Sequence, residues 1–152
     1  ESGYVGTSHK NCKGIIKGLA NRCMIEHRNR LGERKHVMSG EDLSNVGPAA
    51  LIQDLASMAA MNIFDVERNG QHYWLGLSMF PESMQEQTLR HHSDLYSPHV
   101  TPGGASFPKV GIDNGEIAVG SVVDAPYGAG FELDLSGFTP VADWTYASLE
   151  AH

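Results

Sequence analysis

GYVGTSHKNCKG, residues 3 to 14, is the stretch whose reading decides the fold. Tyr4 and Val5 begin a short extended run. It closes on a polar knot of Thr7, Ser8, His9 and Lys10, and a second lysine, Lys13, precedes Gly14. Hydroxyls, an imidazole and two ammonium groups at the end of a strand are the chemistry of a strand terminus that faces a pocket.

A helix follows directly. Ile15, Ile16, Leu19, Ala20, Cys23 and Met24 recur in pairs every four residues, which lays one apolar stripe along a helix predicted from about Lys13 to Arg30. Arg28 and Arg30 suit its negative end, and Gly32 supplies a stop. Lys35 to Met38 then reads as a second buried strand whose end carries the adjacent carboxylates Glu41 and Asp42. Ser44 or Asn45 can cap a second helix, with Pro48 in its first turn. From Ala49 to Ala60 that helix is apolar at Ala50, Leu51, Leu55, Met58 and Ala59, so it should lie between layers, with Gln53 and Asp54 at its wet edge. A third strand is expected over His72–Phe80, after a turn at Asn69 and Gly70, with Tyr73, Trp74 and Phe80 in the core. Pro81 opens a third helix ending near Leu95, in which Glu82 suits the helix dipole and His91 and His92 face solvent. The interval from Val5 to Val37 is 32 residues and from Val37 to Tyr73 is 36, the size of a repeated βα unit with parallel strands.

Beyond Tyr96 the texture turns to Pro, Gly and Ser, and no helix is predicted there. SPHVTPGGASFP reads as a loop, Asp113, Asn114 and Gly115 as a tight turn, and Gly128 and Gly130 as a strained one. Trp144, Tyr146 and Leu149 are expected to anchor the tail on the body.

Composition limits the partners. Eleven basic against eighteen acidic side chains give a net charge of −7, which repels polyphosphates and argues against a nucleic-acid surface. No apolar run approaches the roughly 18 residues of a spanning helix, so no membrane partner is expected and a soluble cytoplasmic protein is. Cys12 and Cys23 have no second pair nearby and read as core thiols.

These residues resemble the C-terminal part of the enolase superfamily, nearest to the muconate-lactonizing enzymes, mandelate racemase and the dipeptide epimerases. The resemblance rests on three βα units, K-x-x-K-G closing the first strand (Lys10, Lys13, Gly14), Gly40-Glu41-Asp42 closing the second, and a tail containing I-D-N-G-E-I and P-Y-G-A-G-F-E-L-D. It departs from the family pattern at His9, at Gly14-Ile15 and at Tyr127. It implies an α/β fold: a partial (β/α) TIM-type barrel of three C-terminal units over residues 1–96, and a Gly/Pro-rich extension over 97–152. A complete barrel of this type needs about 250 residues. The chain, which opens on Glu1, is therefore expected to be a piece of a larger polypeptide, or to pair with another copy or a partner, a homo-oligomer being expected.

By the same resemblance Lys10 is the acid or base beside the α-carbon of a small carboxylate substrate, and Glu41 or Asp42 is the acid at the end of the next strand; His9, which departs from the family pattern, is expected as a substrate-side group from its place at the strand end. The family stabilises an enediolate with magnesium, whose ligands fall on strands upstream of these, so this chain alone is expected to hold no metal. Racemase, epimerase, cycloisomerase and acid-sugar dehydratase chemistry all fit. The competing expectation is a non-catalytic α/β module that shares only the architecture.

Overall fold

A computed structural model describes residues 3–32, 34–42, 45–68, 74–125 and 129–147, without the side chains of residues 42 and 68. β1 (Gly6–His9) leads through one 3₁₀ turn (Asn11–Lys13) into α1 (Ile15–Leu31), and β2 (Val37–Asp42) follows. Next come α2 (Pro48–Ala60), β3 (Val66–Arg68), α3 (Glu82–His91), β4 (Tyr96–Val100), β5 (Ser106–Val110) and α4 (Gly120–Asp124). The first three strands form one parallel sheet in the order β1-β2-β3, with Thr7 opposite Met38, His9 opposite Gly40 and Glu41 opposite Glu67. The architecture is thus mixed α/β with a parallel sheet. Among the described residues the sheet is open on both edges and closes no barrel.

The third strand is Val66–Arg68, not His72–Phe80. Asn62 adopts the left-handed conformation (φ 54°) just past α2, and the Ile63 N–H donates back to the Met58 carbonyl at 2.9 Å. This helix-ending motif turns the chain at once into the sheet, only 26 residues after the β2 position it pairs with, Gly40 with Val66. Trp74–Phe80 instead winds through turns around buried Leu77, whose N–H donates to the Pro108 carbonyl at 2.9 Å. Trp74 is exposed and Phe80 half-buried, so the aromatic run is not a core strand. The expected turn at Asn69 and Gly70, and His72, Tyr73, Ser44, Gly128 and Leu149, lie outside the described residues.

α2 is the shared wall of the core, as its sequence predicts. Leu51, Ile52 and Leu55 join Leu77, Leu95, Tyr96, Val110 and Val122 in one cluster, which draws on both sides of position 96. Met58 joins Ile25, Met38, Met61 and Ile63 in the other. Asp54, expected at the wet edge, is fully buried, while Gln53 is exposed.

α1 contradicts the apolar stripe. Ile16 is 76 % exposed and Met24 55 %, and Cys12 and Cys23 are exposed free thiols, not core ones. The inner face runs through Gly18, Arg22, Ile25 and Asn29. Gly18 permits close approach: a Cβ there would lie 2.4 Å from the His9 ring. Asn29 grips the entry to β2, accepting from the His36 N–H at 2.7 Å and donating to the His36 carbonyl at 3.0 Å.

The segment read as a loop beyond Tyr96 is an antiparallel pair, β4 and β5, with Pro98 opposite Pro108. The Asp113–Glu116 turn forms as predicted, with Asn114 at φ 50° and Gly115 at φ 84°, and Gly130 takes a φ of 73°, which a glycine adopts without strain. α4 appears where no helix is predicted. Its Gly and Val residues have poor helix propensity, and tertiary bonds hold it instead: the Ser121 N–H and hydroxyl both donate to the Asp94 carboxylate, and Val122 is buried. His92, expected at the surface, is 2 % exposed, with Nδ1 2.8 Å from the Ser121 hydroxyl and Nε2 2.7 Å from the Ala129 carbonyl. Further along, the Asp134 N–H donates to Gln87 on α3. Trp144 and Tyr146 meet each other in a tilted ring contact but remain exposed, so they do not anchor the tail. No described helix is long and apolar enough to cross a membrane.

Ile52→Ala is expected to cost about 2–5 kcal/mol in a urea titration, because Ile52 is fully buried in the larger cluster. Burial pushes the Asp94 carboxyl up, but the Ser121 hydroxyl and N–H outweigh it and hold the group below the ordinary carboxylate value. Stability from Asp94 is therefore present above its unfolded value and is lost as pH falls through the lower folded value. Asp94→Asn should lower the urea midpoint at pH 7 and flatten the loss seen in the parent chain on acidification to about pH 3.

Candidate active-site rim

Parallel pairing aligns the ends of neighbouring strands, and here it brings together two residues 31 positions apart. Lys10 follows β1 in extended backbone (φ −136°, ψ 126°), and its side chain continues on the face that Ser8 occupies two residues earlier. Glu41 lies near the end of β2, one residue past the pairing of His9 with Gly40. The Lys10 ammonium and a Glu41 carboxylate oxygen are 2.5 Å apart, with side chains 24 % and 33 % exposed. The hydrogen bond from Lys10 holds the Glu41 carboxyl below its usual value; slight burial opposes this, and the Ser8 hydroxyl and the Lys10 charge reinforce it.

Glu67 stands beside Glu41 in the parallel register, so the two carboxylates share one face of the sheet. Sequence reasoning missed Glu67 because it placed the third strand too late. The alternation of Phe64, Asp65, Val66 and Glu67 shortly after a helix that ends at Met61-Asn62 was the available signal. The Asp42 backbone pairs with Arg68, and its side chain lies outside the described residues.

His9 does not share this rim. It is 4 % exposed and points to the helix side, against Gly18 of α1. Its Nε2 is 2.9 Å from the Asn11 side-chain oxygen, and the Asn11 amide donates to the Ser57 hydroxyl (3.1 Å) and the Gln53 carbonyl (3.3 Å) on α2. Glu82 is exposed in the first turn of α3, at the place its dipole role requires.

The rim offers one ammonium flanked by a hydroxyl and carboxylates, half open to solvent. Such a set places a proton-carrying group where it could meet a bound substrate, and hydrogen-bond reach of the reacting atom is the first requirement of acid–base work. It does not make a site for a hard divalent cation, which wants oxygen ligands from several elements. Among the described residues no three His, Cys, Asp or Glu side chains converge on a common point. Two larger hollows lie elsewhere: about 640 Å³ beside Ile15, Leu19, Ser57 and Val123, and about 600 Å³ beside Met58, Phe64, Ile112 and Ile117.

Searches with protein-family models, among curated proteins and among solved structures return no match to this chain.

The ion pair makes a direct prediction. Lys10→Met should raise the Glu41 titration midpoint toward the ordinary carboxylate range, read from the side-chain carboxyl ¹³C shift, because the largest influence holding it down comes from Lys10. An unmoved midpoint would show that the two groups do not meet in solution.

Proposed function

We propose that this chain is the C-terminal portion of an enolase-superfamily enzyme in which Lys10 exchanges the proton α to the carboxylate of a small substrate. The observation that carries the reading is the meeting of Lys10 and Glu41 at the same end of adjacent parallel strands, the end at which barrel enzymes place their chemistry. Parallel strands joined by α1 and α2, with both outer sheet edges unpaired among the described residues, support a sheet completed by further strands. The exposed stripe of Ile16 and Met24 on α1 fits a helix that meets more protein.

An α-proton is weakly acidic, so its removal needs a base poised at the carbon and neutralisation of the charge that develops on the carboxylate. Lys10 is the group suited to the first task once its ammonium has released a proton to solvent, since only the neutral amine can take the α-proton. Glu41 holds its ammonium at the rim, the Ser8 hydroxyl bonds in turn to Glu41, and Glu67 adds a second carboxylate on the same face. The resemblance assigns charge neutralisation to magnesium. The described residues do not fit a magnesium site, and on this reading its ligands would be carboxylates outside them. Racemases, epimerases, cycloisomerases and acid-sugar dehydratases share this first proton transfer. Exposed free thiols at Cys12 and Cys23 suit a reducing, cytoplasmic setting.

The test is exchange of a substrate α-proton in deuterated water, followed by NMR over a panel of hydroxy acids, amino acids and acid sugars. The complete polypeptide should exchange at least one of them, and Lys10→Met should slow it by roughly 10²–10⁴-fold. Exchange that is indifferent to Lys10 would overturn the reading.

A further inference from the structure

His9 and Asn11 flank Lys10 in sequence, and both turn away from the rim that Lys10 faces. Their side chains nevertheless form one continuous hydrogen-bonded chain. Ser57 spends its single hydroxyl hydrogen on the Gln53 carbonyl at 2.8 Å, so it can only accept from Asn11. The Asn11 amide nitrogen therefore faces α2, and its oxygen faces His9. A flipped amide would set that oxygen against the Gln53 carbonyl, acceptor to acceptor. With the oxygen fixed toward His9, Nε2 must carry the hydrogen that joins them. Nδ1 and Cε1 of the same ring abut Gly18, where no side chain could fit. The Lys10 carbonyl is held as well, accepting from the Lys13 N–H at 3.0 Å.

We propose that His9, Asn11 and Ser57 are positioning residues for Lys10: they clamp residues 9 and 11 to α1 and α2 from the helix side and so fix where the intervening ammonium stands on the opposite face. The inference rests on the reading of Lys10 as the proton-transfer group for its catalytic consequence. Its structural content stands apart from that reading. A lysine has four rotatable side-chain bonds, and a freely moving backbone would add to the spread of its ammonium. Hydrogen bonds to α2 and packing of the His9 ring against Gly18 of α1 remove the backbone part of that freedom, and misplacement by about 1 Å can cost about 10²-fold in rate.

The test uses Asn11→Ala, Ser57→Ala and the conservative Ser57→Thr in the full polypeptide, with two readouts. The first is the Glu41 carboxyl ¹³C midpoint, with Asp134, which is held down separately by Ser136, as the control for an intact fold. Asn11→Ala should move Glu41 toward its Lys10→Met value and leave Asp134 in place, Ser57→Ala should do so in part, and Ser57→Thr should match the parent. The second is α-proton exchange, in which Asn11→Ala should lower kcat about 10- to 100-fold with little change in KM. An unmoved Glu41 midpoint beside an intact Asp134 midpoint overturns the clamp. Should Asn11→Ala disturb Asp134 as well, Ser57→Ala decides by the same criterion. Exchange that survives Lys10→Met, with Glu41 still shifting in Asn11→Ala, removes the catalytic reading and leaves the clamp standing.

Discussion

Register between β1 and β2 is the constraint from which the candidate site follows. Ser8 stands opposite Ser39 and His9 opposite Gly40, so one step further Lys10 and Glu41 emerge together on the same face. Because side chains alternate, a slip of one residue would send the lysine toward the helices and the histidine to the rim. Several contacts resist that slip. His9 is seated against Gly18, Met38 lies in the core with Ile25 and Met58, and Asn29 fixes the start of β2 through His36. Packing on the helix side thus determines what the other side presents.

α2 transmits this order to the rest of the molecule. One of its sides closes over the sheet through Met58, and the other carries Leu51, Ile52 and Leu55 into the cluster shared with β4, β5 and α4. The segment after residue 96 is therefore packed on the βα units and not merely appended to them. Its own ties are polar as well as apolar: Asp94 gathers both donors of Ser121, and the buried His92 ring spans from that serine to the Ala129 carbonyl.

The helices α1, α2 and α3 and the parallel arrangement were legible in the sequence because they rest on local signals. Pro48 opens α2 and Pro81 precedes α3, as their fixed backbone geometry requires. The resemblance singled out Lys10 but left Glu41 and Asp42 as alternatives, and the contact of Lys10 with Glu41 comes only from pairing across 31 positions. β3 was hidden by its length of three residues, which left only the brief alternation of Phe64 to Glu67 to mark it. The stripe on α1 misled because periodicity marks a shared face without saying what covers it, and here the inner face uses Gly18 and Asn29 for close approach and hydrogen bonding. His92 and α4 were invisible for a related reason: their placement comes from partners roughly 30 positions away in sequence.

The facing prolines of the β4–β5 ribbon carry a consequence of another kind. Pro98 and Pro108 each lack an amide hydrogen, so at that rung neither strand has a donor to offer, inward or outward. A neighbouring molecule trying to extend the ribbon would meet a gap in its ladder, and fibril growth by strand addition would stall there.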